Sequence, residues 1–135
     1  MTQDQALVVL RSAGLRLTEP RRKILDVLIA ASEPITADDI HARFGAEADL
    51  STVYRNLLAF VEAGLIDSRP GASGEKRYEV KSQSANGARW MCLDCGKFLP
   101  LPEADLVSIG TAAARQGFDP HTLTLAAHCV HTCEK

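Results

Sequence analysis

The stretch Leu50-Ser-Thr-Val-Tyr-Arg-Asn-Leu57 decides how the first half of the chain is interpreted. In and just after this stretch, hydrophobic residues recur at helical spacing and share one face: Val53, Leu57, Phe60 and Val61. Ser51, Tyr54 and Arg55 fall on the opposite face. We therefore predict a helix that starts at Ser51, ends at Gly64 and presents polar and aromatic groups on the side away from the core.

Shorter helical patterns lie before this helix, and strand patterns follow it. The predicted helices are Gln5–Ala13, a segment with its N-cap at Thr18, and a segment that Thr36 caps and Gly45 ends. Two strand patterns flank the turn-rich residues 70–74, and these are Leu65–Arg69 and Lys76–Val80. Helices followed by a β-hairpin are typical of a winged helix-turn-helix module, which we expect to span residues 1–80.

The polar face of the predicted 51–64 helix favours double-stranded DNA as a partner. Arg55 can donate two hydrogen bonds to guanine, Tyr54 can lie against a thymine methyl group, and Ser51 can join the helix amides in holding a phosphate. The recognition helix of such a module presents its N-terminal residues to the bases. The candidate DNA contacts are Arg16, Arg21, Ser51, Thr52, Tyr54, Arg55 and Lys76. An ordinary solvated surface is the alternative interpretation of the same residues.

The charge balance does not by itself indicate a nucleic-acid partner. The net charge is −2, and residues 1–80 carry ten Lys and Arg against twelve Asp and Glu. DNA binding would therefore depend on local positive charge. No apolar run approaches the roughly 18 residues of a membrane span, and the N-terminus lacks the pattern of a secretory signal. We expect a cytoplasmic protein without a membrane partner.

All four cysteines lie in the second half, in two pairs, and this clustering favours a metal over disulfides in a reducing compartment. Cys92-Leu-Asp-Cys95 is followed by Gly96, which lets the backbone bend around a shared ion. Together with Cys129 and Cys133 the pair offers four thiolates, which suit one structural zinc ion per chain. Two separate redox pairs or free thiols are the alternative. His128 and His131 flank the second pair and are further candidate ligands.

The second half predicts a small α/β unit. Residues 81–88 are polar and small and form the predicted linker, and residues 89–135 form the predicted dimerisation domain. The expected elements are strands Arg89–Leu93 and Lys97–Leu101, helix Glu103–Gln116 and strand Thr122–His128. A unit of about 50 residues usually needs a staple or a partner subunit to be stable. The whole chain is thus predicted to be α+β and homodimeric.

Two other classes of function remain open at this point. A thiol oxidoreductase could use Cys92 and Cys95, but it would need an accessible thiol of depressed pKa and no metal. A protein-interaction module could use the winged helix without DNA, and the overall negative charge is the one feature that favours it. We expect a regulator and not an enzyme.

Read in order, these segments resemble the ferric uptake regulator family of metalloregulatory repressors. The segments that carry the resemblance are Gly14–Leu25, Leu50–Leu57, Arg77–Glu79, Met91–Lys97 and His121–Cys129. The resemblance implies a dimeric repressor on a pseudo-palindromic operator. It also implies that Arg16 enters the minor groove and that Tyr54 and Arg55 read the major groove.

The sequence departs from the family where the regulatory metal ligands are expected. Histidines usual in the family are missing from Asn86–Met91, before the first cysteine pair, and from Ser32–Thr36, before the third helix. The remaining candidates for a regulatory metal are Glu79, Glu103, Asp105 and His121. This set is poor for iron or regulatory zinc, which prefer several nitrogen or sulfur ligands. Metal sensing, another signal, cysteine oxidation and constitutive binding all stay open.

Overall fold

A computed structural model of the protein describes residues 2–44, 48–81, 88–118 and 123–130, and it describes Glu103 through its backbone only. The elements in chain order are α1 Gln3–Ser12, α2 Glu19–Ala30, β1 Ile35–Thr36, α3 Ala37–Ala42, α4 Leu50–Glu62, β2 Ile66–Pro70, β3 Lys76–Val80, β4 Ala88–Cys92, β5 Phe98–Pro100, α5 Glu103–Arg115 and β6 Leu123–Ala127. The predicted α+β class is confirmed. Gly45, the predicted end of the third helix, lies outside the described residues.

Each of the first four helices begins at a side chain that accepts a hydrogen bond from its first turn: Thr2, Thr18, Thr36 and Asp49. The caps at Thr18 and Thr36 are confirmed. The helix predicted from Ser51 is present and begins one residue earlier, at Leu50, after the Asp49 cap. A carboxylate is favoured at that end by the free amides and by the helix dipole.

The core of the first half lies where the four helices meet the first sheet. Val53, Leu57 and Phe60 of α4 are fully buried, as predicted, and Val61 is partly buried against the same cluster. The other buried members are Ala6, Leu10, Ile24, Leu25, Leu28, Ala37, Ile40, Phe44, Leu65, Ile66, Tyr78 and Val80. Burying a large apolar side chain contributes roughly 1.5–3 kcal/mol. The core therefore fixes which face of α4 points to solvent.

The first sheet contains the predicted hairpin and one strand that the sequence did not predict. β2 and β3 pair antiparallel from Ile66 opposite Val80 to Pro70 opposite Lys76. β1 pairs with the other edge of β3, which gives the order β1-β3-β2. With two residues, β1 has no alternating pattern to recognise, and it is defined only by its pairing with β3.

The second sheet has the order β5-β4-β6, with β4 antiparallel to β5 and parallel to β6. Its two faces differ. Arg89, Met91 and Phe98 are buried on the face toward the first half, whereas Trp90 and Leu99 are exposed on the other face. The three predicted strands are present within one or two residues at each end. Ala88, expected at the end of the linker, is buried and is the first residue of β4.

Helix α5 adds no buried side chain to a core among the residues that the structure describes. Among its 13 residues, no side chain that the structure describes is buried, although Leu106 and Ile109 give it an apolar face. An amphipathic helix in water is normally stabilised by burying that face. The helix thus lacks a packing partner among the described residues.

Replacing Leu57 with Ala should lower the free energy of unfolding by about 2–5 kcal/mol, because it opens a cavity beneath α4. Urea denaturation measures the loss. Leu58→Ala is the matched control, since Leu58 is 59% exposed on the same helix and should change stability little. Equal effects of the two substitutions would contradict the assigned orientation of α4.

Candidate nucleic-acid interface and metal centre

The solvent face of α4 carries a small group of exposed hydrogen-bonding side chains. Tyr54 is 47% exposed, although large aromatic side chains usually contribute to a core. Ser51 and Arg55 are also exposed, and Thr52 is partly buried. Arg55 Nη2 donates to Thr52 Oγ1 at 3.2 Å, which directs its guanidinium toward the start of the helix. The face can therefore offer a planar five-donor cation and a phenol to a ligand outside the protein.

Asp49 occupies the N-terminal end of α4. Its Oδ1 accepts hydrogen bonds from the Thr52 hydroxyl at 2.6 Å, the Thr52 amide at 2.9 Å and the Ser51 hydroxyl at 3.0 Å. These hydrogen bonds lower the pKa of Asp49 from 3.8 to about 2, and the bond from the Thr52 hydroxyl has the largest effect. Asp49 therefore competes with a phosphate for the Ser51 hydroxyl and the Thr52 amide, and the predicted phosphate contact of Ser51 stays a prediction.

Arg21 connects the start of α2 to α4. Its Nε donates to Asn56 Oδ1 at 3.1 Å and its Nη1 donates to the Arg16 carbonyl at 2.7 Å. Asn56 in turn donates to the Thr52 carbonyl at 3.0 Å. Arg21, predicted to contact DNA, is thus engaged within the protein and positions α4, whereas the Arg16 side chain is exposed.

A shallow cavity of about 250 Å³ separates α4 from the hairpin. It is lined by Tyr54, Leu58, Val61, Ser68, Lys76 and Tyr78. Burial, and then the nearby Tyr54, raise the pKa of Tyr78. Lys76 is exposed at the rim of the same cavity. The recognition-type helix and the hairpin therefore present one continuous surface.

Three of the four predicted zinc ligands come together in the second half. Cys92, Cys95 and Cys129 place their sulfurs within 4.8 Å of one another, and the Cys92 and Cys129 sulfurs are 2.9 Å apart. The Cys92–Cys95 turn closes through the Gly96 amide, which donates to the Cys92 carbonyl at 2.9 Å with Gly96 at a φ of 77°. Cys133 lies outside the described residues. The three thiols are close enough to share one ion, and thiolates are ligands that zinc prefers.

Asp94 orders this cluster, and we did not single it out from the sequence. Its Oδ2 accepts from the Cys129 amide at 3.0 Å, and its Oδ1 contacts His128 Nδ1 at 2.9 Å. The Asp94 amide donates to Cys92 Sγ at 3.4 Å. His128, a candidate ligand, therefore pairs with Asp94. The position of Asp94 inside the first cysteine pair was the one available signal.

The candidate regulatory ligands do not form a metal site among the described residues. Glu79 is buried between Arg69 and Arg89 and makes ion pairs with both guanidinium groups. Asp105 is exposed on α5, His121 lies outside the described residues, and the side chain of Glu103 is not described. In the part of the chain that is described, the cysteine cluster is the one group of three or more such ligands able to share an ion. Among the described residues, Glu79 is therefore paired with two arginines and is not brought together with another candidate ligand.

None of the helices within the described ranges is both long enough and apolar enough to cross a bilayer.

Comparison with known proteins identifies relatives along most of the chain. The profile of the ferric uptake regulator family matches residues 12–128. The ferric uptake regulation protein of Shigella flexneri is 36% identical over 130 residues, covering 89% of this chain and 85% of the relative. That of Escherichia coli strain K12 is 35% identical over 130 residues, with the same two coverages, 89% and 85%.

Solved structures give the same result. The ferric uptake regulator of Vibrio cholerae, whose crystal structure reveals a rearrangement of the DNA-binding domains, aligns with a TM-score of 0.73 at 30% identity, covering 95% of this chain and 100% of that one. The ferric uptake regulator of Pseudomonas aeruginosa with manganese aligns with a TM-score of 0.75 at 28% identity, covering 97% and 100%.

The Asp49 carboxyl should remain ionised at about pH 3.5, where an ordinary aspartate is mostly protonated. Its lowered pKa means that its contribution to stability is complete above pH 3.8 and is lost as the pH falls through about 2. Carbon-13 NMR of the carboxyl measures the titration. Thr52→Val removes the strongest hydrogen bond and should raise the midpoint toward 3.8. An unchanged midpoint in that variant would contradict the assigned cause.

Proposed function

Because the chain belongs to the ferric uptake regulator family of metal-responsive, DNA-binding transcriptional regulators, we propose that it is a cytoplasmic repressor. It binds a specific pseudo-palindromic operator as a homodimer. The family places the chain among regulators and not enzymes. The single observation that carries the proposal is the outward pair Tyr54 and Arg55 on a helix whose opposite face is fully buried.

Recognition of bases rests on that pair. Val53, Leu57 and Phe60 hold α4 against the core, so Tyr54 and Arg55 project in a fixed direction. Arg55 can bind guanine through two hydrogen bonds, and Tyr54 can contact a thymine methyl group. The hydrogen bond that Arg55 donates to the Thr52 hydroxyl is exposed and 3.2 Å long, so hydrogen bonds to a guanine can replace it.

Phosphate contacts come from cations on either side of α4. Arg16 before α2 and Lys76 on the hairpin are exposed, and Lys76 borders the cavity next to Tyr54. Arg21 acts indirectly, by holding Asn56 of α4. Asp49 occupies the N-terminal end of α4 and would repel a phosphate placed there. This arrangement favours binding in which Tyr54 and Arg55 enter a groove of the DNA. It disfavours binding of a DNA phosphate at the N-terminal end of α4.

One zinc ion per chain is the proposed cofactor, held by Cys92, Cys95, Cys129 and, as the fourth ligand, Cys133. The close approach of three sulfurs supports this assignment. Four thiolates would leave no open position, so the ion would be structural and would add its binding energy to folding. Among its described residues the second half buries few side chains, which is consistent with a need for such a staple.

The proposed dimer interface combines α5 with the open face of the second sheet. Trp90 pairs in register with Leu99 on one side and Leu125 on the other, so the three side chains form a row across the sheet. Trp90 is 41% and Leu99 is 52% exposed. The apolar face of α5 also lacks a partner among the described residues. A second copy of the chain would cover both surfaces and place two α4 helices on one duplex.

Arg55→Ala should weaken binding to a selected operator by about 1–3 kcal/mol and relax base preference at one position of each half-site. Fluorescence anisotropy with matched and single-mismatch duplexes measures both effects. Arg11→Ala removes an exposed arginine from α1, away from α4, and serves as the control for charge loss. If Arg55→Ala binds like the control, Arg55 does not read a base.

Cys95→Ser should release the zinc ion and shift the dimer toward monomer, because one of three clustered sulfurs is lost. Elemental analysis and analytical ultracentrifugation of the same sample measure the two effects. Lys97→Ala, an exposed change just after the same turn, is the control. A zinc-free Cys95→Ser protein that stays fully dimeric would show that the ion is not needed for assembly.

A further inference from the structure

Glu79 lies at the centre of a buried ion cluster. Glu79, Arg69 and Arg89 are each 2% exposed. Oε1 of Glu79 pairs with Arg69 Nη2, and Oε2 accepts a hydrogen bond from Arg89 Nε at 2.7 Å. Each oxygen of the carboxylate therefore lies in an ion pair with a different guanidinium group, and Oε2 also accepts a hydrogen bond. Charges are almost never buried to this degree unless they are paired.

The cluster joins the two halves of the chain. Arg69 lies on β2 and Glu79 on β3, whereas Arg89 lies on β4 of the second sheet. Arg69 also donates through Nη1 to the Leu123 carbonyl at 3.2 Å and to Thr124 Oγ1 at 3.3 Å, both on β6. The hairpin is thereby bonded to two strands of the second sheet.

A second set of contacts joins the same two halves. Glu33 Oε1 accepts a hydrogen bond from the Phe98 amide at 2.8 Å. Arg77 donates to the Pro34 carbonyl at 3.1 Å, and its guanidinium lies 5.9 Å from the centre of the Phe98 ring. These contacts run from the segment before β1 to β5. The ion cluster is therefore not the single point of contact between the two halves.

The charge of the cluster disfavours a divalent cation. Lys81 pairs with Asp67 at 3.4 Å beside the three central residues. The group thus holds two carboxylates and three cations, a net charge of +1. Burial lowers the pKa of Arg69, and Glu79 opposes that shift. A divalent metal would have to displace a guanidinium from Glu79 and enter a site that is already positive.

We propose that the Arg69–Glu79–Arg89 cluster takes the place of a regulatory metal and holds the hairpin against the second sheet permanently. The inference rests on the proposed function in one respect, namely that this arrangement is the DNA-binding one. Domain contacts of this kind are otherwise expected to be mobile and to need a ligand to fix them. Here the guanidinium groups of Arg69 and Arg89 hold the hairpin and the second sheet in one arrangement. A second divalent ion therefore cannot shift the chain between two arrangements.

The first test uses the unmodified zinc-loaded dimer and does not involve DNA. Co²⁺ is titrated into it, bound cobalt is followed by its ligand-field absorption, and hydrogen exchange of the β2 and β3 amides is measured at each step. We expect exchange rates to stay within about twofold throughout. A cobalt ion that slows exchange in β2 and β3, and whose effect is lost in Glu79→Gln, would overturn the proposal.

The second test removes one cation. Arg89→Leu leaves Glu79 with one partner in a buried site, so exchange in β2 and β3 should become about tenfold faster or more. Arg11→Leu is the matched control, an exposed arginine lost from α1. Exchange in Arg89→Leu equal to that of the control would contradict a clamp. If Arg89→Leu does not fold, the cobalt titration of the unmodified protein still decides.

Failure of the clamp and failure of DNA binding can be told apart. Both hydrogen-exchange experiments measure the contact between the two halves of the chain in the absence of DNA. Operator affinity is then measured with zinc-loaded protein, with and without added Mn²⁺. Affinity that rises more than about tenfold with Mn²⁺ would contradict the clamp while supporting DNA binding. Equal affinity under both conditions supports the clamp.

Discussion

Burial of one face of α4 fixes the orientation of the candidate DNA-binding surface. Val53, Leu57 and Phe60 are fully enclosed, so the direction of Tyr54 and Arg55 is set by packing and not by their own contacts. Asp49 fixes where the helix begins, and Arg21 ties its middle to α2 through Asn56. A flexible surface helix would lose affinity on ordering, whereas this one is ordered before any ligand arrives.

Two different cation strategies hold the second half in place. The three clustered sulfurs offer a site for a metal that would stabilise a unit with little core of its own. Between the halves, the proposed clamp uses arginines in place of a metal ion, because each Glu79 oxygen lies in an ion pair with a guanidinium group. The sulfur cluster thus serves the stability of the second half, and the arginine cluster serves its attachment to the hairpin. Such a division is consistent with family membership and with a loss of the usual histidine ligands.

The sequence predicts features that depend on neighbouring residues better than features that depend on contacts between distant segments. Periodicity identified Val53, Leu57 and Phe60 as core, and cysteine spacing identified the thiol cluster, because both signals are local. The Asp49 cap was missed because Ser51, two residues later, is an equally good capping type. β1 was missed because it exists only through pairing with β3. The Arg69–Glu79–Arg89 cluster joins residues 10 apart in sequence on each side of Glu79, which no pattern encodes.

Binding of the dimer to DNA through Tyr54 and Arg55 is tested by selection from random duplex DNA with the zinc-loaded protein, followed by footprinting of the enriched site. We expect an inverted repeat protected on both half-sites, with their centres separated by about one helical turn of DNA or a multiple of it. Protection should cover the groove that faces Tyr54 and Arg55. Failure to enrich any sequence, or enrichment of a site without two-fold symmetry, would contradict this expectation.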